Sequence, residues 1–231
     1  VALDRPGFGG SDWYRERRIE DWADDIRLVA GHLRVDRFGV LGVSGGTPTA
    51  VAAAALLPDR VTQLVVVSGV APMHDPEALA GMHWVNRGLL KTGQRCGALG
   101  RFSIGAIATV WRMLPGAAAL WFASVLPKAD MDIVTRPEVG VILARNIKES
   151  LRPGVQGVMT EFSLLLSDWR GLLPMVSAPT SIWHGDEDTY VPISMAEILH
   201  KSIPQSRFQQ VKGGGHFMIV DTLRPVLEQF V

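Results

Sequence analysis

Three residues far apart in the chain carry the side chains of a nucleophile, a general base and an orienting carboxylate: Ser44, His216 and Asp188. Ser44 lies in "GVSGGTP", a G-x-S-x-G pattern between a β-type run, "FGVLGV", and an alanine-rich helical run. That context suits a serine on a tight, strained turn with its Oγ projecting above a sheet. Gly42 and Gly46 would let neighbouring backbones pass close by. The same turn would set Ser44 at a helix N-terminus, which favours developing negative charge. It would also make the Gly45 N–H an oxyanion donor. Taken alone, the segment also admits a helix-capping serine after a glycine turn.

A serine hydroxyl needs a base, and the base needs an orienter. His216 stands in "KGGGHF", directly after the β-type run "SRFQQV" and a row of glycines. The other histidines place less well. His32 and His200 belong to helices, His83 lies in a long helical region, and His74 follows a strand end. His184, in "WHGD", is explained by backbone packing. Asp188, in the loop "WHGDEDTYVP", is the candidate acid. Asp186, Glu187 and Asp75 are alternatives on spacing, and loop carboxylates commonly serve as turn formers. Chain order favours Ser44, Asp188, His216: each follows a separate predicted strand, so all three leave one edge of a parallel sheet.

The elements that must do this positioning read as follows. "VAL" is a strand end, followed by the turn-rich "DRPGFGGSD". Apolar residues at Ile19, Trp22, Ile26, Val29 and Leu33 share one helix face. "DRFGVLGV" and "VTQLVVVSG" are strands, with the helix "GGTPTAVAAAALLP" between them. From Ala71 to Asp168 no strand is predicted; helical stretches fall at Leu79–Leu90, Ile104–Leu114, Ala117–Leu126, Pro137–Leu151 and Val155–Leu166. Alternation resumes with "PTSIWHG" as a strand, "PISMAEILHKSIP" as a helix, "SRFQQV" as a strand and "TLRPVLEQFV" as a final helix. The reading is α/β, a mostly parallel sheet flanked by helices. Residues 1–70 and 169–231 form the core, and residues 71–168 a helical cap or lid. An insertion at the carboxyl ends of parallel strands lies over the ligand edge of the sheet. That makes Trp84, Trp111 and Trp121 candidate substrate contacts, with plain helix packing as the simpler reading of each.

Composition bounds the partners. Lys+Arg and Asp+Glu are both 23 among 231 residues, so no basic excess points to nucleic acid or an anionic membrane. Cys96 is the sole cysteine, and a reducing, cytoplasmic setting is the expectation. Arg112 and Pro115 divide the longest apolar region into pieces well under the ~20 residues that span a bilayer. No clustered Cys/His spacing implies a metal, and no motif implies a cofactor. The expected partner is a small-molecule substrate; composition says nothing of oligomeric state.

With "DRPGFGGSD", "GVSGGTP", "HGDEDTYVP" and "GGGHF" in this order, the chain resembles the α/β-hydrolase fold superfamily nearly end to end. The resemblance implies that Asp188, not Asp186, is the acid of the G-x-x-D-x-x-V-P loop, and that the helical insertion shapes substrate choice. Family members with an aspartate at the elbow act on epoxides or carbon–halogen bonds; Ser44 disfavours both. It points to esters, thioesters, amides or activated C–C bonds. The family normally carries further strands and a helix before "VALDRPG", with an HG-type loop that supplies a second oxyanion donor. No His-Gly motif precedes Ser44. The expectation is therefore an N-terminally truncated core with an unpaired sheet edge. It would be short of one donor, worth roughly 3 kcal/mol in a model enzyme. Expressing the chain beside a version extended upstream tests this. The expected activity is that of a serine hydrolase cleaving an ester-type bond of a small, mostly apolar substrate through an acyl-enzyme. The alternatives are a catalytically silent binding protein and a C–C bond hydrolase.

Overall fold

A computed structural model describes residues 1–73, 77–114 and 126–230. The chain divides into two compact units: Arg18–Met82 with Ser167–Val231, and Val1–Arg17 with His83–Leu166.

The first unit is built on a four-stranded sheet in the order β1-β2-β3-β4, every neighbouring pair parallel. The strands are β1 (Phe38–Val43), β2 (Val61–Val67), β3 (Thr180–Gly185) and β4 (Ser206–Val211). Helix α1 (Asp21–His32) precedes β1, and α2 (Thr47–Leu56) connects β1 to β2. β2 is a run of valines because it is central: with both faces covered, there is no polar side to alternate with. Leu64 through Val67 are all fully buried. Val65 and Val67 pack with Trp183, Met218 and Val226 on one face. The alternate residues Leu64, Val66 and Ile182 are buried on the other. α2 starts with Pro48 in its first turn, stops short of Pro58, and is buried on nearly every side, which suits its small residues, half of them alanine.

Of the five predicted strands, "VAL" does not form: residues 1–5 have no strand structure, and Val1 and Leu3 are exposed. A strand exists only with a ladder partner, and none of the described strands pairs with it. Val1–Arg17 groups with the helices of His83–Leu166 in one compact unit.

The helical unit follows from that packing. Its helices are α3 (Trp84–Arg95), α4 (Gly97–Met113), α5 (Lys128–Val134), α6 (Pro137–Ser150) and α7 (Gln156–Leu165). α5 was not predicted, and the predicted helix Ala117–Leu126 falls almost wholly outside the described residues. The turn-rich "DRPGFGGSD" docks on α6 and α7. Gly9 N–H donates to the Ser150 carbonyl at 3.3 Å. Arg152 donates to the Gly9 carbonyl at 2.9 Å. The Trp13 indole N–H reaches Thr160 Oγ1 at 3.1 Å. Arg5 pairs with the buried Glu161 at 2.9 Å. Burial raises the Glu161 pKa above the ordinary value, an effect that Arg5 and Arg17 only partly oppose.

Two further helices complete the sheet unit: α8 (Ile193–Ser202), between β3 and β4, and α9 (Ile219–Leu227), after β4. α2 packs on β1 and β2, and α8 on β3 and β4. In a parallel sheet all four strands end at the same edge, and the loops after β1, β2, β3 and β4 emerge together there.

Candidate active site

Ser44 is the first residue past β1, in a short 3-10 turn, Ser44–Gly46, that runs into α2. Its φ is +52°, in the left-handed region that a residue with a Cβ occupies at a cost. The turn is held from three sides. The Ser44 carbonyl accepts the Thr47 hydroxyl at 2.8 Å and also the Thr47 backbone N–H. Val70 N–H approaches the same oxygen at 3.5 Å. Gly42 is sterically required: a Cβ there would come within 2.7 Å of the Ala50 Cβ. Gly46 is not as expected, since a Cβ at that position would meet nothing within 4 Å. Of these two glycines, the one on the strand side is where close approach requires the missing side chain.

His216 lies on the loop after β4. Its Nδ1 is 2.8 Å from Asp188 Oδ2 and its Nε2 is 2.9 Å from Ser44 Oγ. A carboxylate only accepts, so Nδ1 carries the proton and donates it to Asp188. Nε2 is then the lone pair that accepts the Ser44 hydroxyl. Asp188 is 4 % exposed, and its other oxygen accepts the N–H groups of Tyr190 at 2.9 Å and Val191 at 2.8 Å. Three donors thus hold a buried carboxylate in one orientation. The Tyr190 ring packs beside the imidazole, with centroids 4.9 Å apart.

The loops after β3 and β4 are brought together by two glycines. A Cβ on Gly185 would lie 2.0 Å from the Gly214 carbonyl oxygen, so no other residue fits there without moving backbone. Glu187 N–H donates to that same Gly214 carbonyl at 2.9 Å. Asp186, one of the alternative acids, accepts Gly213 N–H at 2.7 Å and Gln210 Nε2–H at 3.3 Å. It clasps the histidine loop rather than the histidine. Glu187 is exposed, and Asp75 and His74 lie outside the described residues.

Sequence reasoning passed over His184. It is fully buried, next to last in β3. Its Nε2 lies 2.8 Å from the Val191 carbonyl, which can only accept, so Nε2 carries the proton. The same atom is 3.5 Å from Asp188 Oδ2. Among the described residues its Nδ1 has no hydrogen-bond partner. Burial lowers its pKa from the ordinary 6.5 and keeps the ring neutral; Asp188 and the Val191 hydrogen bond oppose this, and His216 adds to it. The signal was available: a histidine inside a buried strand, four residues before an acid, has few roles other than hydrogen bonding toward that acid's loop.

Trp84 and Trp111 both belong to the helical unit; Trp84 is 77 % exposed and Trp111 is partly buried. Trp121 lies outside the described residues. Among the described residues no group of His, Cys, Asp and Glu is arranged to hold a metal ion, and no helix is long and apolar enough to cross a membrane.

A family described as "Alpha/beta hydrolase family" matches residues 1–229. The chain belongs to the alpha/beta hydrolase family. No curated protein matches it. Among solved structures, this alpha/beta hydrolase is similar to an esterase from Thermogutta terrifontis, at 24% identity and a TM-score of 0.64 over 96% of this chain and 74% of that one. It is also similar to a bromoperoxidase from Bacillus anthracis, at 21% identity and a TM-score of 0.69 over 97% and 79% of the two chains. An enol-lactonase from Burkholderia xenovorans LB400 matches at 20% identity and a TM-score of 0.63 over 96% and 75%. At these identities the likeness speaks to the fold.

Proposed function

We propose that this alpha/beta hydrolase is a serine hydrolase that cleaves a carboxylic ester, thioester or amide of a small, mostly apolar substrate. One observation carries the reading: His216 bridges Ser44 Oγ and Asp188 Oδ2 at 2.9 and 2.8 Å, with the serine held at φ +52°. Ser44 Oγ attacks the carbonyl carbon as its proton passes to His216 Nε2. Asp188 holds the tautomer that leaves Nε2 free to accept and stabilises the imidazolium once formed. The Gly45 N–H stabilises the oxyanion. The imidazolium then protonates the leaving group, and the acyl-serine remains. Water, deprotonated by His216, attacks the acyl carbon and releases the acid and Ser44. The esterase and enol-lactonase among the structural neighbours support an ester substrate by analogy. Trp84, Trp111 and Trp121 are offered as apolar side chains suited to an apolar acyl or alcohol group.

A fluorophosphonate probe tests the reading. Wild type should label, whereas Ser44→Ala and His216→Ala should not. Labelling that survives Ser44→Ala would place the nucleophile elsewhere. No labelling of folded wild type would favour a binding role. A series of p-nitrophenyl esters of rising chain length then measures acyl preference.

A further inference from the structure

Among the described residues, four that are not glycine have positive φ: Arg34, Ser44, Ser68 and Gln205. Arg34 and Gln205 are exposed turn residues ahead of β1 and β4. Ser44 and Ser68 are different. Val43 and Val67 are partners in the β1–β2 ladder, so the two serines are the next residues past paired strand ends, side by side at one edge. Ser68 has no solvent exposure, and its φ is +48°. Glycine would occupy that conformation without strain, so the serine must be tied down by what its side chain touches. Its Oγ–H donates to the backbone carbonyl of His216 at 3.0 Å, across 148 residues of sequence. Its own N–H donates to the Trp183 carbonyl at 2.9 Å, which fixes it to the end of β3.

We propose that Ser68 is a positioning residue for His216, and this rests on the Ser44–His216–Asp188 reading above. Ahead of His216 the loop is held at Gly213 by Asp186 and at Gly214 by the Glu187 N–H, so the Ser68 bond adds a hold at the histidine's own main chain. The imidazole is oriented through its two nitrogens by Asp188 and Ser44, but both contacts are made by a ring at the end of a side chain. Ser68 grips the main chain of the same residue. It converts the rigid end of the central strand into an anchor for the base, and the left-handed backbone is what turns the hydroxyl toward that carbonyl. The hydroxyl touches no reacting atom.

The test compares Ser68→Ala, which keeps the strained backbone and removes the hydroxyl, with Ser68→Gly, which removes both. Each is assayed by p-nitrophenyl ester hydrolysis and by the rate of fluorophosphonate labelling. Loss of one buried hydrogen bond that acts on the base should lower kcat and the labelling rate about tenfold in both variants, with KM within about twofold. Ser68→Gly should melt no lower than Ser68→Ala, because it relieves the backbone. Ser68→Cys, an isosteric weak donor, should recover part of the rate. If Ser68→Gly is as fast as wild type, the hydroxyl does not position the base and the proposal fails. A drop confined to KM would overturn it equally. Ser44→Ala run beside these keeps the two readings apart: if it still labels, the triad assignment is wrong, whatever Ser68 does.

Discussion

Asp188→Asn is the sharpest perturbation of the proposed mechanism, because it changes one atom and the structure dictates where that atom goes. Asp188 Oδ1 faces two backbone donors, Tyr190 N–H at 2.9 Å and Val191 N–H at 2.8 Å. An amide NH2 placed there would confront both. The asparagine oxygen must therefore occupy the Oδ1 site, and the NH2 falls at the Oδ2 site, 2.8 Å from His216 Nδ1. His216 then has to accept at Nδ1, which moves its proton to Nε2. Ser44 Oγ, 2.9 Å away, now faces a donor instead of a base. His184 Nε2, 3.5 Å from Oδ2, has its hydrogen committed to the Val191 carbonyl and offers the new NH2 no acceptor. In the serine-protease template the equivalent change lowers kcat by about 10⁴, a barrier increase of about 5.5 kcal/mol. The same loss is expected here with little change in KM, measured with a p-nitrophenyl ester and checked for folding by circular dichroism. A folded Asp188→Asn protein with kcat within tenfold of wild type would refute the tautomer argument, and with it the role of Asp188.

Two other outcomes follow from the same geometry. The unfolded chain protonates His184 near its ordinary 6.5, whereas burial holds the folded ring neutral to lower pH. The unfolded state thus binds more protons as pH falls, so stability declines from about pH 6.5 downward, by at most about 1.4 kcal/mol per pH unit. His184→Gln keeps a donor for the Val191 carbonyl and removes this titration; urea midpoints between pH 7 and 5 should fall less steeply than in wild type, and identical slopes would count against a neutral His184. Gly185→Ala forces a methyl group to within 2.0 Å of the Gly214 carbonyl oxygen. Because backbone must move, a loss on the order of 3 kcal/mol of stability and of most activity is expected; a melting temperature unchanged by the substitution would show that the two loops are not in register.

The candidate site was legible because its parts obey local rules. G-x-S-x-G between a β-type run and an alanine helix, an acid loop after a third strand and a glycine-preceded histidine after a fourth can each be read from a window of about ten residues. Chain order left Asp186, Glu187 and Asp188 equivalent, and the resemblance to the α/β-hydrolases is what implied Asp188. The failures have the opposite character. "VAL" has strand composition, but a strand also needs a partner. Gly46 sits in the motif, yet a side chain there would meet open space. "DRPGFGGSD" read correctly as a turn-rich loop, but nothing local says that Arg5 meets Glu161 156 positions away.

By itself, then, the sequence determined the parallel α/β order, the helical insertion and three side chains at one sheet edge, because periodicity, turn residues and strand ends are short-range properties. Only the tertiary structure decided which acid faces the histidine, for Asp186 and Asp188 differ by two positions in one loop. Asp186 turns to Gly213 and Gln210, while Asp188 turns to His216. It also revealed Ser68 and His184, two buried groups whose partners are set by how strands stack side by side. Such contacts depend on register and loop closure across the whole sheet, and no window of sequence contains both ends of them.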